Sequence, residues 1–361
     1  MKYMTEYRDA KLVHAFLEKI QKIVTKKWTL MEVCGGQTHS LVKYGILDLL
    51  PKEITIVHGP GCPVCVTPQS LINAAIEMAF LPNTILCSYG DMLRVPGSKM
   101  SLLEAKARGA NIRVLYSPLE AVDIAKQNPD KQVIFFAVGF ETTAPANALS
   151  VLHAQRSNLN NYSILTAHVL VPPAISAIMD DPMTKVNGFL AAGHVCTIMG
   201  NSEYYPLVEK YKIPIVITGF EPVDLIQGIY MTLLQLEQGI YKVENQYARI
   251  VKEEGNPEAK KVIETVFDIS DRNWRGIGII PMSGYAVREE FAQFDAMKKF
   301  NLIENDSENQ QECIAGEILK GIKKPKDCTH FGKSCTPINP LGAPMVSTEG
   351  ACAAYYNFST I

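Results

Sequence analysis

Two of the chain's nine cysteines form a Cys-x-x-Cys pair in the stretch His58-Gly59-Pro60-Gly61-Cys62-Pro63-Val64-Cys65. At the junction of a predicted strand and helix, such a pair suits thiol–disulfide exchange, because a helix N-terminus favours thiolate. The same spacing suits half of a metal site. A packed turn with incidental cysteines is disfavoured, since glycine and proline on both sides fix the geometry. Residue types alone leave Cys62 and Cys65 as either a redox pair or metal ligands.

A third cysteine, Cys34, lies in Met31-Glu32-Val33-Cys34-Gly35-Gly36-Gln37-Thr38-His39, directly after a predicted strand. Parallel α/β sheets place ligand sites at this end of a strand, and the two glycines allow close approach. His39 follows five residues later, and a thiolate with an imidazole suits zinc, iron or copper. A small buried side chain at a tight turn is the equally weighted alternative.

Four further cysteines occupy a C-terminal stretch that is rich in proline and glycine: Cys313, Cys328, Cys335 and Cys352. Their spacing matches neither a zinc finger nor a common ferredoxin motif. A small domain with little core commonly needs a metal to hold it together. Spacing alone leaves a four-cysteine zinc site and a [4Fe–4S] cluster nearly equal. Glu349, three residues before Cys352, is a candidate proton donor or acceptor, or simply a solvated acid.

The remaining candidates divide between core and cleft. Cys87 and His168 lie within predicted strands, so we expect both to be structural. Glu141 and Thr142 follow one strand end, so we expect these polar side chains to face a cleft. His194 follows another strand end and is either a cleft residue or, as is more common, a histidine satisfied by hydrogen bonds. No Walker loop, dinucleotide-binding glycine motif or nucleophile elbow is found.

Short β-rich runs alternate with amphipathic stretches of helical length, as is typical of βαβ units and a mainly parallel sheet. Helix boundaries are marked by the Ser117-Pro118-Leu119-Glu120 cap and by Thr67-Pro68. Two strand ends share a pattern, Gly139-Phe140-Glu141 and Gly219-Phe220-Glu221. Eight strands are predicted: Thr29–Val33, Ile54–His58, Thr84–Ser88, Ile112–Tyr116, Val133–Val138, Ile164–Val169, Gly188–Ala192 and Ile215–Thr218.

Eight strands are many for one small sheet, so we expect two α/β domains, at 27–117 and 118–239. Residues 240–361 form a separate loop-rich domain in this interpretation, and we hypothesise that the N-terminal helix, 1–26, packs with it. Within that region the pattern predicts a polar helix over 241–266, interrupted once at Gly255-Asn256-Pro257, and a loop over 305–311.

Composition excludes several classes of protein. The formal net charge is −2 and no block of like charge stands out, which argues against a nucleic-acid or polybasic membrane surface. The longest strongly apolar run, Val133 to Phe140, has the length of a strand, and the charged N-terminus lacks a signal-peptide core. We therefore expect a cytoplasmic protein in which the cysteines are metal ligands or redox thiols.

Five motifs together resemble those of the hydrogenase maturation factor HypD family, in the family's order and over nearly the whole chain. Any one would be weak, whereas the set is specific. The matching stretches are Cys34-Gly35-Gly36-Gln37-Thr38-His39, Gly59-Pro60-Gly61-Cys62-Pro63-Val64-Cys65, Gly139-Phe140-Glu141-Thr142-Thr143, Ala192-Gly193-His194-Val195-Cys196, and Cys335-Thr336-Pro337 with Glu349-Gly350-Ala351-Cys352.

The resemblance implies two parallel-sheet α/β domains around a cleft, plus a small loop-rich iron-sulfur domain. It implies an assembly scaffold with redox chemistry, rather than a conventional turnover enzyme, for the Fe(CN)2CO unit of NiFe hydrogenases. Cys34 would hold the iron together with the chaperone HypC, and HypE would donate cyanide. Cys62 and Cys65 would be the redox pair. The four C-terminal cysteines would bind a [4Fe–4S] cluster.

Two other functions remain open. A cluster-dependent thiol–disulfide oxidoreductase explains Cys62, Cys65 and the C-terminal cysteines, but leaves Cys34 and His39 without a role. A binding scaffold stabilised by zinc explains the C-terminal cysteines alone.

Overall fold

The computed structural model describes residues 5–302 and 313–359, so the loop predicted at 305–311 lies outside the described residues. All eight predicted strands are present, with ends that differ by at most two residues from the predicted ones. Three further strands follow them in the described part of the chain. The strands are β1 Trp28–Glu32, β2 Ile54–His58, β3 Thr84–Ser88, β4 Ile112–Val114, β5 Gln132–Gly139, β6 Tyr162–His168, β7 Gly188–Ala192, β8 Ile215–Thr218, β9 Val243–Asn245, β10 Phe267–Trp274 and β11 Gly278–Val287.

The helices that connect the strands begin where local chemistry predicts. Ser117 caps its helix with its side chain, Pro118 takes the first helical position, and Glu120 completes the capping box. The α-helices are α1 Ala10–Ile23, α2 Gly35–Lys43, α3 Ile46–Leu49, α4 Pro63–Val66, α5 Gln69–Ala79, α6 Leu102–Ala107, α7 Pro118–Gln127, α8 Ala144–Arg156, α9 Val171–Met179, α10 Gly193–Met199, α11 Tyr205–Tyr211, α12 Pro222–Gln238, α13 Pro257–Val266, α14 Ala296–Lys299, α15 Ala315–Leu319 and α16 Ala351–Phe358.

The strands form two parallel sheets and one antiparallel hairpin. The first sheet has the order β2-β1-β7-β8-β9, the second has the order β4-β3-β5-β6, and β10 pairs with β11. Strands of the two parallel sheets are largely apolar along their length, because helices cover both faces. The mixed α/β class with two parallel sheets is therefore confirmed.

The sheets divide the chain differently from the expected ranges 27–117 and 118–239. Strands β3 and β4 precede residue 118 but pair with the second-sheet strands β5 and β6. The first sheet joins β1 and β2 to strands beyond residue 187. The chain thus leaves the first sheet, builds the second, and returns. Hydrogen bonds between strands distant in sequence decide this order, and local patterns do not encode it.

The N-terminal helix packs on α12, not with the C-terminal region as hypothesised. Its buried face, Val13, Leu17 and Ile20, belongs to a cluster that includes Ile229 and Leu233 of α12. The apolar stripe of α12 is the complementary surface, so α1 is held beside the first sheet.

The region after residue 239 is more varied than predicted. The interruption predicted at Gly255-Asn256-Pro257 is confirmed, because Asn256 caps α13 and Pro257 begins it. The helical prediction before the interruption is wrong, since β9 and turns occupy that stretch. Short helices and turns then carry the C-terminal cysteines. In the described ranges, no helix combines the length and apolar character needed to cross a bilayer.

Candidate functional site

A cavity of about 630 Å³ opens between the two parallel sheets. The turns after β1, β2, β7 and β8 line it from the first sheet, and the turn after β5 lines it from the second. Crevices beyond the carboxyl ends of parallel strands are the usual ligand sites of such sheets. The cavity joins four of the five motifs and part of the last: Cys34, Gly36, His39, Ser40, Gly61, Pro63, Phe140, Thr142, Thr143, His194, Phe220, Thr348 and Glu349.

Cys34 follows β1 directly and is the N-cap residue of α2. Its side chain is 4% exposed, and Sγ lies 3.8 Å from Nδ1 of His194. Burial raises the pKa of the Cys34 thiol above its ordinary value, and the nearby Glu349 carboxylate adds to this. Binding of a metal at this sulfur therefore requires loss of its proton.

Glycines bring three motifs into backbone contact around Cys34. A Cβ on Gly61 would lie 2.2 Å from the Cys34 nitrogen, and a Cβ on Gly35 would lie 2.5 Å from the Glu349 carbonyl oxygen. The Gly35 N–H donates to the Gly61 carbonyl at 3.0 Å. Only glycine permits such close approach, so these residues fix the position of the Cys34 turn.

His39 and Glu349 both line the cavity. Nδ1 of His39 lies 3.2 Å from the Thr348 carbonyl oxygen, and its ring meets Phe358 edge-on. Burial raises the pKa of Glu349, which keeps a proton on this carboxyl to higher pH. The imidazole placed beside the Cys34 thiol, however, is that of His194.

His194 is the site residue that sequence reasoning did not assign to Cys34. Burial lowers the pKa of His194 to about 4, which leaves a neutral ring able to bind a metal or accept a proton. Its ring also contacts Phe220, with centroids 5.2 Å apart. The sequence indicated only that His194 and Cys34 each follow a strand, and the structure adds that these strands are neighbours in one parallel sheet.

The repeated Gly-Phe-Glu pattern places Phe140 and Phe220 on the same cavity. Thr142 also lines it, as predicted, but the expectation that Glu141 faces the cleft is wrong. Glu141 is fully buried and accepts a hydrogen bond from the Val171 N–H at 2.8 Å. Burial raises the pKa of Glu141 to about 8. Cys87 is buried within β3 and His168 within β6, as expected of core residues.

Cys62 and Cys65 are adjacent, reduced and buried beside this cavity. Cys62 occupies the N-cap position of the four-residue helix α4, and the Cys65 thiol is hydrogen-bonded to Cys62. The expectation that a helix N-terminus favours thiolate is wrong for Cys65. Burial first, and then the bond to Cys62, raise the pKa of Cys65 well above its ordinary value.

The four C-terminal cysteines share one region. Burial raises the pKa of Cys352, and the proximity of Cys313, Cys335 and Cys328 raises it further. Cys352 is also close enough to Cys65 to raise the pKa of that thiol. In the described residues, no three histidine, cysteine or acidic side chains are arranged to hold a metal ion.

The donor chemistry of this region suits a thiolate-ligated metal. The Leu341 N–H donates to Sγ of Cys335 at 3.4 Å, the kind of contact that tunes cluster sulfurs. A Cβ on Gly342 would lie 2.2 Å from Sγ of Cys313, so glycine leaves room for this thiol. Four gathered thiols fit a [4Fe–4S] cluster or zinc once they move into ligating positions.

Comparison with known proteins agrees with the motif order. Residues 11–359 match the family model HypD, described as the hydrogenase formation hypA family. The chain is 46% identical over 367 residues to the hydrogenase expression/formation protein HupD of Azotobacter chroococcum mcd 1, covering 99% of this chain and 97% of that protein. Hydrogenase maturation factor HypD of Azotobacter vinelandii is also 46% identical, with the same coverage. That of Rhodobacter capsulatus is 43% identical, covering 99% of this chain and 98% of the relative. The chain belongs to the HypD family.

Proposed function

We propose that this protein acts in hydrogenase maturation as a scaffold and redox factor for the Fe(CN)2CO unit of NiFe hydrogenases. The observation that carries the proposal is the cavity between the sheets, on which motifs separated by hundreds of residues converge around Cys34. Iron is the cargo of this site. HypC supplies a second ligand and HypE the cyanide in the proposed scheme.

The residues around Cys34 suit temporary binding of iron. A thiolate is a soft ligand that suits low-valent iron carrying strong-field ligands, and the neutral His194 imidazole stands beside it. The cavity of about 630 Å³ leaves space for cargo and for a ligand from a partner. His39 and Glu349 also line this cavity and are placed to exchange protons with bound groups.

The two other cysteine groups give the proposed scaffold its redox chemistry. Oxidation of Cys62 and Cys65 to a disulfide releases two electrons and two protons. In our proposal the C-terminal cysteines hold a [4Fe–4S] cluster, which exchanges one electron at a time when bound. The proximity of Cys65 to Cys352 supports a role for both groups in one process.

The two alternatives leave parts of this arrangement unused. A thiol–disulfide oxidoreductase needs the Cys62–Cys65 pair and a cluster, but it has no use for the Cys34 cavity. A zinc-stabilised scaffold leaves both the cavity thiol and the pair without a role. Anaerobic purification with iron, sulfide and zinc analysis separates these cases, because only a zinc scaffold lacks iron and sulfide.

The decisive experiment compares Cys34→Ala with Cys87→Ala after anaerobic co-expression with the other maturation factors. Infrared bands of bound cyanide and carbonyl should be present in the parent and in Cys87→Ala, whose lost thiol lies in the core of the second sheet. They should be absent from Cys34→Ala, which should keep its fold and the iron held by the C-terminal cysteines. Normal hydrogenase maturation by Cys34→Ala would refute the proposed ligand.

A further inference from the structure

A buried carboxylate lies beneath the Cys34 turn. Glu32, the last residue of β1, has no solvent exposure. Its Oε2 accepts the backbone N–H of Cys34 at 2.9 Å, and its Oε1 accepts the Thr38 hydroxyl. Nδ1 of His58 lies 2.7 Å from the same Oε1. A buried carboxylate is costly unless donors surround it, and here one of the donors is the amide of Cys34 itself.

The hydrogen-bonded chain continues from His58 to the C-terminal helix. Nε2 of His58 lies 2.9 Å from the hydroxyl oxygen of Tyr355. The two rings meet edge-on, with centroids 5.3 Å apart. Tyr355 belongs to α16, three residues after Cys352 and therefore on the same side of the helix. A continuous series of buried hydrogen bonds thus joins the Cys34 turn to the helix that carries Cys352.

We infer that Glu32, His58 and Tyr355 are positioning residues that set the orientation and accessibility of Cys34 from the docked helix α16. This inference rests on the proposed function, in which Cys34 is the ligand of the iron cargo. Register in the first sheet already pairs Glu32 with His58. What Tyr355 adds is a partner for the outer nitrogen of His58, which keeps the imidazole turned towards Glu32.

The effect of losing the Tyr355 hydroxyl should be transmitted through these hydrogen bonds to the Cys34 turn. Nε2 of His58 would become a buried nitrogen without its partner, at a cost that favours reorientation of the ring. Glu32 would then lose one of its donors, and its hydrogen bond to the Cys34 amide would weaken. Because Cys34 is only 4% exposed in the ordered turn, a looser turn should expose its thiol.

The experiment compares Tyr355→Phe with Tyr356→Phe in the anaerobically purified full chain. The first variant keeps the ring that contacts His58, and the second changes the next residue, a tyrosine 40% exposed whose ring contacts Phe331. The readout is the iodoacetamide alkylation rate of Cys34, located by peptide mass spectrometry. Cys87 serves as an internal reference for global loosening.

Tyr355→Phe should raise the Cys34 alkylation rate by about tenfold, the equilibrium effect of one hydrogen bond near the upper end of the usual range. Tyr356→Phe should leave the rate within about twofold of the parent, within the effect expected of a surface substitution. Equal Cys34 rates in the two variants, or an equal rise at Cys87, would overturn the inference. Glu32→Gln, which keeps an acceptor for the Cys34 amide, should be closer to the parent than Glu32→Ala.

Alkylation does not require bound iron, so this test is separate from that of the proposed function. If Cys34→Ala matures hydrogenase normally, the ligand role fails while the alkylation result stands. If Tyr355→Phe leaves Cys34 unchanged, the positioning chain fails while the ligand role stands.

Discussion

The Cys34 turn and the C-terminal cysteine segment differ in how the fold holds their thiols. Around Cys34, backbone amides bond to Glu32 and Gly61, and the neighbouring glycines admit contacts that a Cβ would prevent. The C-terminal cysteines lie among turns and short helices, and three of the four are only partly buried. The first site is built by the polypeptide alone. The second gathers its donors without arranging them, so we expect bound metal to complete that segment.

The largest expected effect is that of Cys335→Ala, which tests whether metal completes the C-terminal segment. Losing one of four thiolates should lower metal affinity by more than about tenfold, since even outer-shell changes cost that much. Iron content should fall, and the segment should lose protection from hydrogen exchange, because metal binding is part of its folding free energy. Cys328→Ala should behave alike.

Cys87→Ala is the matched control, because it removes a buried thiol from the second sheet. It should keep the iron content of the parent protein. Unchanged iron in both Cys335→Ala and Cys328→Ala would show that these residues are not ligands, and would remove the contrast between the two regions.

The next effect is that of Gly61→Ala, which tests whether the Cys34 turn is rigid in the absence of cargo. The new Cβ would lie 2.2 Å from the Cys34 nitrogen, so backbone must move. Overpacking of this kind costs about 1–3 kcal/mol of the free energy of unfolding. Urea unfolding monitored by circular dichroism measures this change.

Gly90→Ala is its control, since the nearest atom to that Cβ would be a Val114 methyl at 3.6 Å, an ordinary contact. Gly90→Ala should leave the urea midpoint unchanged or slightly raised. Equal midpoints for Gly61→Ala and Gly90→Ala would mean that the Cys34 turn yields easily and is not built by packing.

The same contrast explains what the sequence could predict. Local patterns gave every strand of the two parallel sheets except the three-residue β9, because alternating apolar runs and helix caps depend on near neighbours. They could not give the placement of β1 beside β7, which depends on pairing across more than 150 residues. The position of His194 beside Cys34 follows from that pairing, so it was equally inaccessible.

The sequence motifs identified residues that line the cavity better than they predicted what each side chain contacts. Cys34, His39, Thr142 and Glu349 all line the cavity. Cys34 and Thr142 do so because they follow β1 and β5, and ligand sites lie beyond the carboxyl ends of parallel strands. Glu141 follows β5, as Thr142 does, yet its side chain points into the core and accepts a hydrogen bond from the Val171 N–H. The neighbouring residues Glu141 and Thr142 thus differ, one in the core and the other in the cleft, and only tertiary packing determines which way each side chain points.

The smallest expected effect on the fold is that of the Cys62 and Cys65 variants. They test a third way of holding thiols, in which the fold brings two sulfurs together without a bound metal. Their sulfurs are adjacent, so oxidation should form a reversible disulfide with little movement of α4. Cys62→Ala should cost about 1 kcal/mol of stability, the common size of a single substitution, and should leave C-terminal iron intact.

Thiol counting under denaturing conditions, with metal analysis, should find two more reactive thiols in reduced than in oxidised parent protein. Cys196→Ala, which removes a buried cysteine outside the pair, should keep that difference, whereas Cys62→Ala should lose it. The same thiol count in both states of the parent, or loss of iron from Cys62→Ala, would instead assign the pair to metal binding.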